Sequence, residues 1–162
     1  MKIPAVVVAC ALVGAGIALA QEQPRPAKPD PAELIRAVKS SRNDPTLALK
    51  KVKQLVKDGA DVNHVDRYGV TPLGYAADVG DLKMTRFLWS KGASHDIGKE
   101  RPLIIAAGRG RLDVVKFYIN TGVPANTLSA QGNTALQVAQ RWNQAEVIQY
   151  LEKKEKGRPS SR

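Results

Sequence analysis

The chain is poor in the residues that reactive chemistry uses. Its 162 residues include one cysteine, Cys10, and two histidines, His64 and His95. One cysteine cannot close an intramolecular disulfide or build a thiolate metal site. Neither histidine lies on an expected helix beside a ligand-type partner, so both are read as polar residues of connecting turns, with no metal site and no cofactor expected. Ser94-His95-Asp96 spells three triad residue types, but neighbours in sequence project apart and do not converge on one proton path. Gly108-Arg109-Gly110-Arg111 lacks the preceding strand and the Gly-Lys-Ser/Thr ending of a phosphate loop. Nothing here points to an enzyme. Aromatics make up 5% of the chain, too few to stack along a single-stranded nucleic acid. Acidic residues are also scarce, 15 against 25 Lys and Arg, for a net charge of +10. That surplus favours an acidic partner.

The long apolar run is confined to the start. Lys2 is followed by Ile3 to Leu19, rich in Ala, Val and Gly, and Ala18-Leu19-Ala20 fits a small-x-small cleavage site. Residues 1–20 are therefore expected to be a signal peptide, which places the mature protein in the periplasm or outside the cell with no stable membrane span. An uncleaved anchor and a lipoprotein signal at Val7-Val8-Ala9-Cys10 are the competing readings. Residues 21–31 carry Pro24, Pro26, Pro29 and Pro31 among charges, the composition of an extended linker.

From Asp66 onward a unit recurs. Thr71 suits a helix cap and Pro72 the first helical position. Ala76 and Ala77 are small enough for a neighbouring helix to come close. Gly80 suits a helix end that needs positive φ, and Leu82, Met84, Phe87 and Leu88 recur at helical spacing before Gly92. Leu73 is answered by Leu103 and Leu136, at separations of 30 and 33 residues. Ala76-Ala77 is answered by Ala106-Ala107 and then by Ala139. Gly80 is answered by Gly110, and Gly92 by Gly122. The shorter period comes from the connection Gly92 to Leu103, so the finger over Ser94 to Arg101 is expected to be stunted. Residues 32–63 are a degenerate first copy. Asn43-Asp44-Pro45 breaks it, with Asp44 or Thr46 available to cap the second helix, and it closes on Gly59-Ala60-Asp61-Val62-Asn63. The last copy, 129–154, keeps Gly132, Thr134, Leu136 and Ala139. Residues 155–162 are expected to be a disordered basic tail.

The run Asp66 to Leu82 followed by Phe87-Leu88-Trp89-Ser90-Lys91-Gly92-Ala93 resembles the ankyrin repeat, D-x-x-G-x-T-P-L-H-x-A-A-x-x-G-H-L-x-x-V-x-x-L-L-x-x-G-A-D-x-N. The resemblance implies an all-α solenoid of about four helix-pair repeats with β-turn fingers (32–63, 66–96, 97–126 and 129–154), its first and last repeats acting as caps. It implies a monomer that binds another protein through the concave face made by finger tips and first helices. Carried over by register, the partner-binding positions are Arg67, Tyr68, Val70, Asp78, Val79, Arg109, Gln131, Asn133, Arg141 and Trp142. Gly108 belongs to the same set, and Lys39 and Ser40 are the counterparts in the first repeat. The stunted finger leaves Lys99 and Glu100 outside the assignment. Trp142 has two readings, an anchor on the open face or a core residue packed on the C-terminal helix. The function expected is a periplasmic or secreted binding module acting as an inhibitor, immunity factor or scaffold. The alternative is a basic surface-adhering protein that holds anionic lipid or cell-wall polymer through Lys50, Lys51, Lys53 and their neighbours.

Overall fold

The computed structural model describes residues 28–156. The expected signal peptide, most of the linker and the tail beyond Lys156 lie outside the described residues. Within them the chain makes eight α-helices and no strand: α1 Pro31–Lys39, α2 Pro45–Lys57, α3 Pro72–Val79, α4 Leu82–Ser90, α5 Pro102–Gly108, α6 Leu112–Asn120, α7 Ala135–Arg141 and α8 Ala145–Lys156. A 3-10 turn over Ser40–Arg42 joins α1 to the connection before α2. The fold is an all-α solenoid of four helix pairs.

Local chemistry sets the helix starts. Asp30 caps α1 by accepting from Ala32 N, with Pro31 at the first helical position. Composition assigns both residues to the linker, but the helix begins inside the proline-rich stretch, because proline is at home in a first helical turn. Of the two cap candidates for α2, Asp44 takes the role, its Oδ1 accepting from Thr46 N and Leu47 N. Thr71 Oγ1 accepts from Gly74 N at 3.1 Å. Thr134 and Gln137 form a reciprocal capping box at α7. Gly80 ends α3 in the left-handed region at φ 86°. At the other end of the chain, α8 continues through Lys156, past the expected domain end.

The inner helices α1, α3, α5 and α7 pack side by side in chain order. Ala76, Ala77, Ala106, Ala107, Ala135 and Ala139 are fully buried between them, and their small side chains let the backbones approach closely. The outer helices α2, α4, α6 and α8 stand behind. Leu34, Val38, Val52, Leu73, Met84, Leu88, Leu103, Val114, Val115, Tyr118, Val147 and Leu151 fill the space between the layers as one continuous core.

The fingers differ as their lengths imply. The first is closed by Asp66 N to Val70 O at 3.1 Å and Gly69 N to Asp66 O at 2.9 Å. The third is closed by Ser129 N to Asn133 O at 2.8 Å and Gly132 N to Ser129 O at 3.0 Å. Across Ser94 to Arg101 no such pair forms. Instead Lys99 N donates to Gly69 O at 2.8 Å, so the short finger leans on its neighbour's backbone.

Candidate protein-binding groove

The ends of the inner helices and the inner sides of the fingers enclose a groove of about 890 Å³. Val70, Asp78, Arg109, Gln131, Asn133, Arg141 and Trp142, all picked by register, line it, as does Gly108. Arg67, Tyr68 and Val79 do not, nor do Lys39 and Ser40 of the first repeat. Arg67 and Tyr68 pair at the tip of the first finger, the guanidinium carbon 4.8 Å from the ring centroid and Arg67 Nη2 donating to the Tyr68 hydroxyl at 2.8 Å. Tyr68 is 59% exposed there. Val79 is half-buried beside the turn at Gly80.

Gly74, Tyr75, Glu100, Ile104, Ile105, Ser129, Val138 and Gln144 complete the lining. A helical i, i+4 step back from Asp78, Gly108 and Trp142 leads to Gly74, Ile104 and Val138, so register did contain them. Ile105 and Val138 are apolar and would ordinarily be read as core. Here both are only half-buried and form part of the groove wall.

Asp78 is the electrostatic hinge of the groove. Arg42 Nη2 lies 2.9 Å from its Oδ2 and Arg109 Nε 2.6 Å from its Oδ1. One carboxylate thus ties the first, second and third repeats together. The Asp78 side chain is only 19% exposed, so it is less a contact offered to a partner than a holder of two arginines. A second link recurs along the stack. Arg111 Nε donates to Asp78 O at 3.2 Å, and Gln144 Nε2 donates to Gly108 O at 3.2 Å. Each satisfies a carbonyl at the end of the previous inner helix.

On the finger side, Asp66 organises the first turn. Its Oδ1 accepts from Tyr68 N and Val70 N, and its Oδ2 from the Tyr75 hydroxyl at 2.6 Å. Burial alone would raise its pKa. The hydrogen bonds from Tyr75, Val70 and Tyr68, with the Lys39 charge, outweigh burial and hold it below the usual 3.8. Burial and the same carboxylate push the Tyr75 phenol well above its usual value. Lys39 Nζ sits 4.0 Å over the Tyr75 ring, which brings this first-repeat position to the edge of the groove.

Trp142 is 64% exposed. Its ring lies across from Gly108 of α5, where an added Cβ would stand 3.4 Å from Trp142 Cδ1. The indole therefore belongs to the groove. Ser94, His95 and Asp96 sit in the short finger, where Ser94 Oγ accepts from Asp96 N and His95 Nε2 approaches Asp96 Oδ2 at 3.3 Å. No hydrogen bond joins Ser94 to His95 among the described residues, and Arg101 pairs with Asp96 as well. Gly108 ends α5, and Arg109 to Arg111 is the turn to α6, with Gly110 at φ 69°. Among the described residues no helix is long and apolar enough to cross a membrane, and no group of three or more His, Cys, Asp or Glu could hold a metal ion.

Fold and groove define a helix-pair repeat protein with one continuous groove along its inner helices. Residues 100–152 match the family described as ankyrin repeats (many copies). The ankyrin-repeat, SAM and basic leucine zipper domain-containing protein 1 of Mus musculus is 31% identical over 104 residues, 60% of this chain and 22% of that protein. The transient receptor potential cation channel subfamily A member 1 homolog of Caenorhabditis elegans is 32% identical over 89 residues, 54% of this chain and 7% of that protein. These matches support an ankyrin-repeat protein, and the chain spans less than a quarter of the length of these curated relatives.

Proposed function

We propose that this chain binds a partner protein through the groove, outside the cytoplasm, in the periplasm or after secretion. Its role there is that of an inhibitor, immunity factor or scaffold, and it acts by binding rather than by catalysis. The observation that carries the reading is the convergence of register-chosen residues on one continuous groove. Interface anchors are enriched in Trp, Tyr and Arg, and Arg109, Arg141 and Trp142 stand together here, with Tyr68 at the neighbouring finger tip. The test is capture of partners from a periplasmic extract, followed by alanine variants of these four residues. Each anchor is expected to cost ~2 kcal/mol of binding when truncated. A series in which none of the four alters affinity overturns the reading.

Export is a separate part of the proposal. It is supported by Lys2, the apolar run Ile3 to Leu19 and Ala18-Leu19-Ala20. The intact mass of protein recovered from an exporting host is expected to correspond to a chain beginning at Gln21. A mass that retains residues 1–20, or that carries lipid on Cys10, contradicts it.

A second reading has its own observation. Leu47 is 63% exposed on α2, and Leu49 of the same helix lines a hollow between α2 and α4 together with Lys50, Lys53, Lys83 and Asp81. An apolar residue among lysines is suited to anionic lipid or wall polymer. Salt separates the two readings, because binding through solvated charges is steeply screened and a packed groove interface is not.

A further inference from the structure

The groove is electrostatically lopsided. On the side of the helix ends stand Arg42, Arg109 and Arg141; on the finger side stand Glu100, Gln131 and Asn133. The one carboxylate of Asp78 is shared by two guanidiniums, so that trio keeps a net positive charge. Arg141 adds another and has no ion-pair partner among the described residues. Asp78 takes Arg109 through Nε alone. The two Nη groups of Arg109 remain without a partner among the described residues, on a side chain that is 65% exposed. A guanidinium held from one side in this way is pre-organised to accept a second carboxylate on its other face.

Between the two edges lies an apolar hollow. Gly108 is in α5 at an ordinary helical φ, where glycine is about 1 kcal/mol worse than alanine. Backbone geometry does not require it. A Cβ at that position would stand 3.0 Å from Val138 Cγ1 and 3.4 Å from Trp142 Cδ1, tighter than ordinary contact, so the missing side chain lets Val138 and one edge of the indole lie close against α5. Packed there on one side, Trp142 remains 64% exposed where it lines the groove. Opposite it, the Gln131 and Asn133 amides offer a donor and an acceptor each to a passing main chain. A helix satisfies its own main chain and has no use for them; an extended segment does.

We propose that the groove takes an extended, Asp- and Glu-rich segment of the partner, its carboxylates on Arg109 and Arg141 and one apolar side chain laid on the exposed face of Trp142. The proposal rests on the groove reading above and adds the chemistry of the occupant. The test is selection of a random displayed peptide library against the full chain. Selected peptides are then synthesised and titrated against a Trp89→Phe variant, in which Trp142 is the sole indole. The expected result is enrichment of acidic peptides with an embedded apolar residue that shift Trp142 fluorescence. Arg141→Ala is expected to weaken them about tenfold, the scale of 1.4 kcal/mol. Arg141 has no ion pair to lose, so this variant tests binding without disturbing the fold, and Arg141→Lys should restore only part of the loss. Replacing the apolar residue of a selected peptide by Gly should weaken it and reduce the Trp142 fluorescence shift. If the selected peptides shift Trp142 but show no acidic excess, the acidic occupant is wrong and the groove reading survives. If nothing is enriched, or the enriched peptides bind without touching Trp142 and instead depend on Lys50, Lys53 and Lys83, both readings fall.

Discussion

Tyr118 is a buried phenol with an unmet obligation. It lies at zero exposure, packed on Trp89 and Phe117 with ring centroids 5.8 and 5.6 Å away, and its hydroxyl has no hydrogen-bond partner among the described residues. An unsatisfied buried polar group costs ~1–3 kcal/mol, so Tyr118→Phe is expected to stabilise the fold by ~1 kcal/mol, read as a higher urea midpoint at unchanged m. A lower midpoint would show that the hydroxyl is bonded after all. Asp66 works in the other direction. Its carboxyl is held below 3.8 in the fold, so its contribution is complete above the unfolded value and disappears as pH falls through the folded one. Acid unfolding should therefore be shallower below about pH 4 in Asp66→Asn than in the natural chain. Equal pH profiles would mean that Asp66 does not anchor the finger. Sequence register places Asp66 at a finger start, but it says nothing of the Tyr75 hydroxyl that reaches back nine residues to meet it. Asp78 was similarly legible as a position and not as a role, because the two arginines that engage it come from other repeats, 36 and 31 residues away.

Helices and fingers were legible to different degrees. Caps and turn glycines act over three or four residues, which is why Thr71, Pro72, Gly80 and Asp44 announce the helices they bound. Finger conformation depends on neighbouring fingers, and the short one shows this. Arg101 stands where Thr71 stands one repeat earlier. It makes no side-chain cap for α5 and donates from Nε to Leu128 O in the next finger at 3.0 Å. On the other side the finger docks through Lys99 N on Gly69 O, and Gly98, at φ 98°, would place a Cβ 2.7 Å from that same oxygen. Gly59 offers a matched control, with φ 92° and nothing near an added Cβ. Gly59→Ala should cost only the left-handed backbone penalty, ~1–2 kcal/mol. Gly98→Ala should cost that and a further ~1 kcal/mol, because the Lys99 hydrogen bond must move. Thermal unfolding of the two variants checks the difference, and equal losses would mean that the short finger is not docked on the first.

At the scale of the molecule, each repeat touches only its neighbours: α3 lies between α1 and α5, and α5 between α3 and α7. Stability in such a stack is the sum of repeat terms and interface terms, so where damage falls matters as much as how large it is. Leu103 and Leu151 make a clean comparison. They are the same residue, each 1% exposed, one in the interior repeat on α5 and one on α8 at the end of the stack. Truncation to alanine removes the same buried methyl groups and should cost ~2–5 kcal/mol at either site. The consequences should differ. Leu151→Ala weakens a terminal repeat, which can open alone while α1 to α4 stay stacked. Leu103→Ala weakens a repeat that supports partners on both sides, and its loss leaves each end with too little core to stand alone. Hydrogen exchange distinguishes these outcomes, because sub-global opening exposes amides in contiguous blocks. In Leu151→Ala, protection should fall first in α7 and α8 and persist in α1 and α3. In Leu103→Ala it should fall across all the inner helices together. If both variants lose protection uniformly, the four repeats open as one unit, and the groove they share is held by the whole stack rather than by adjacent pairs.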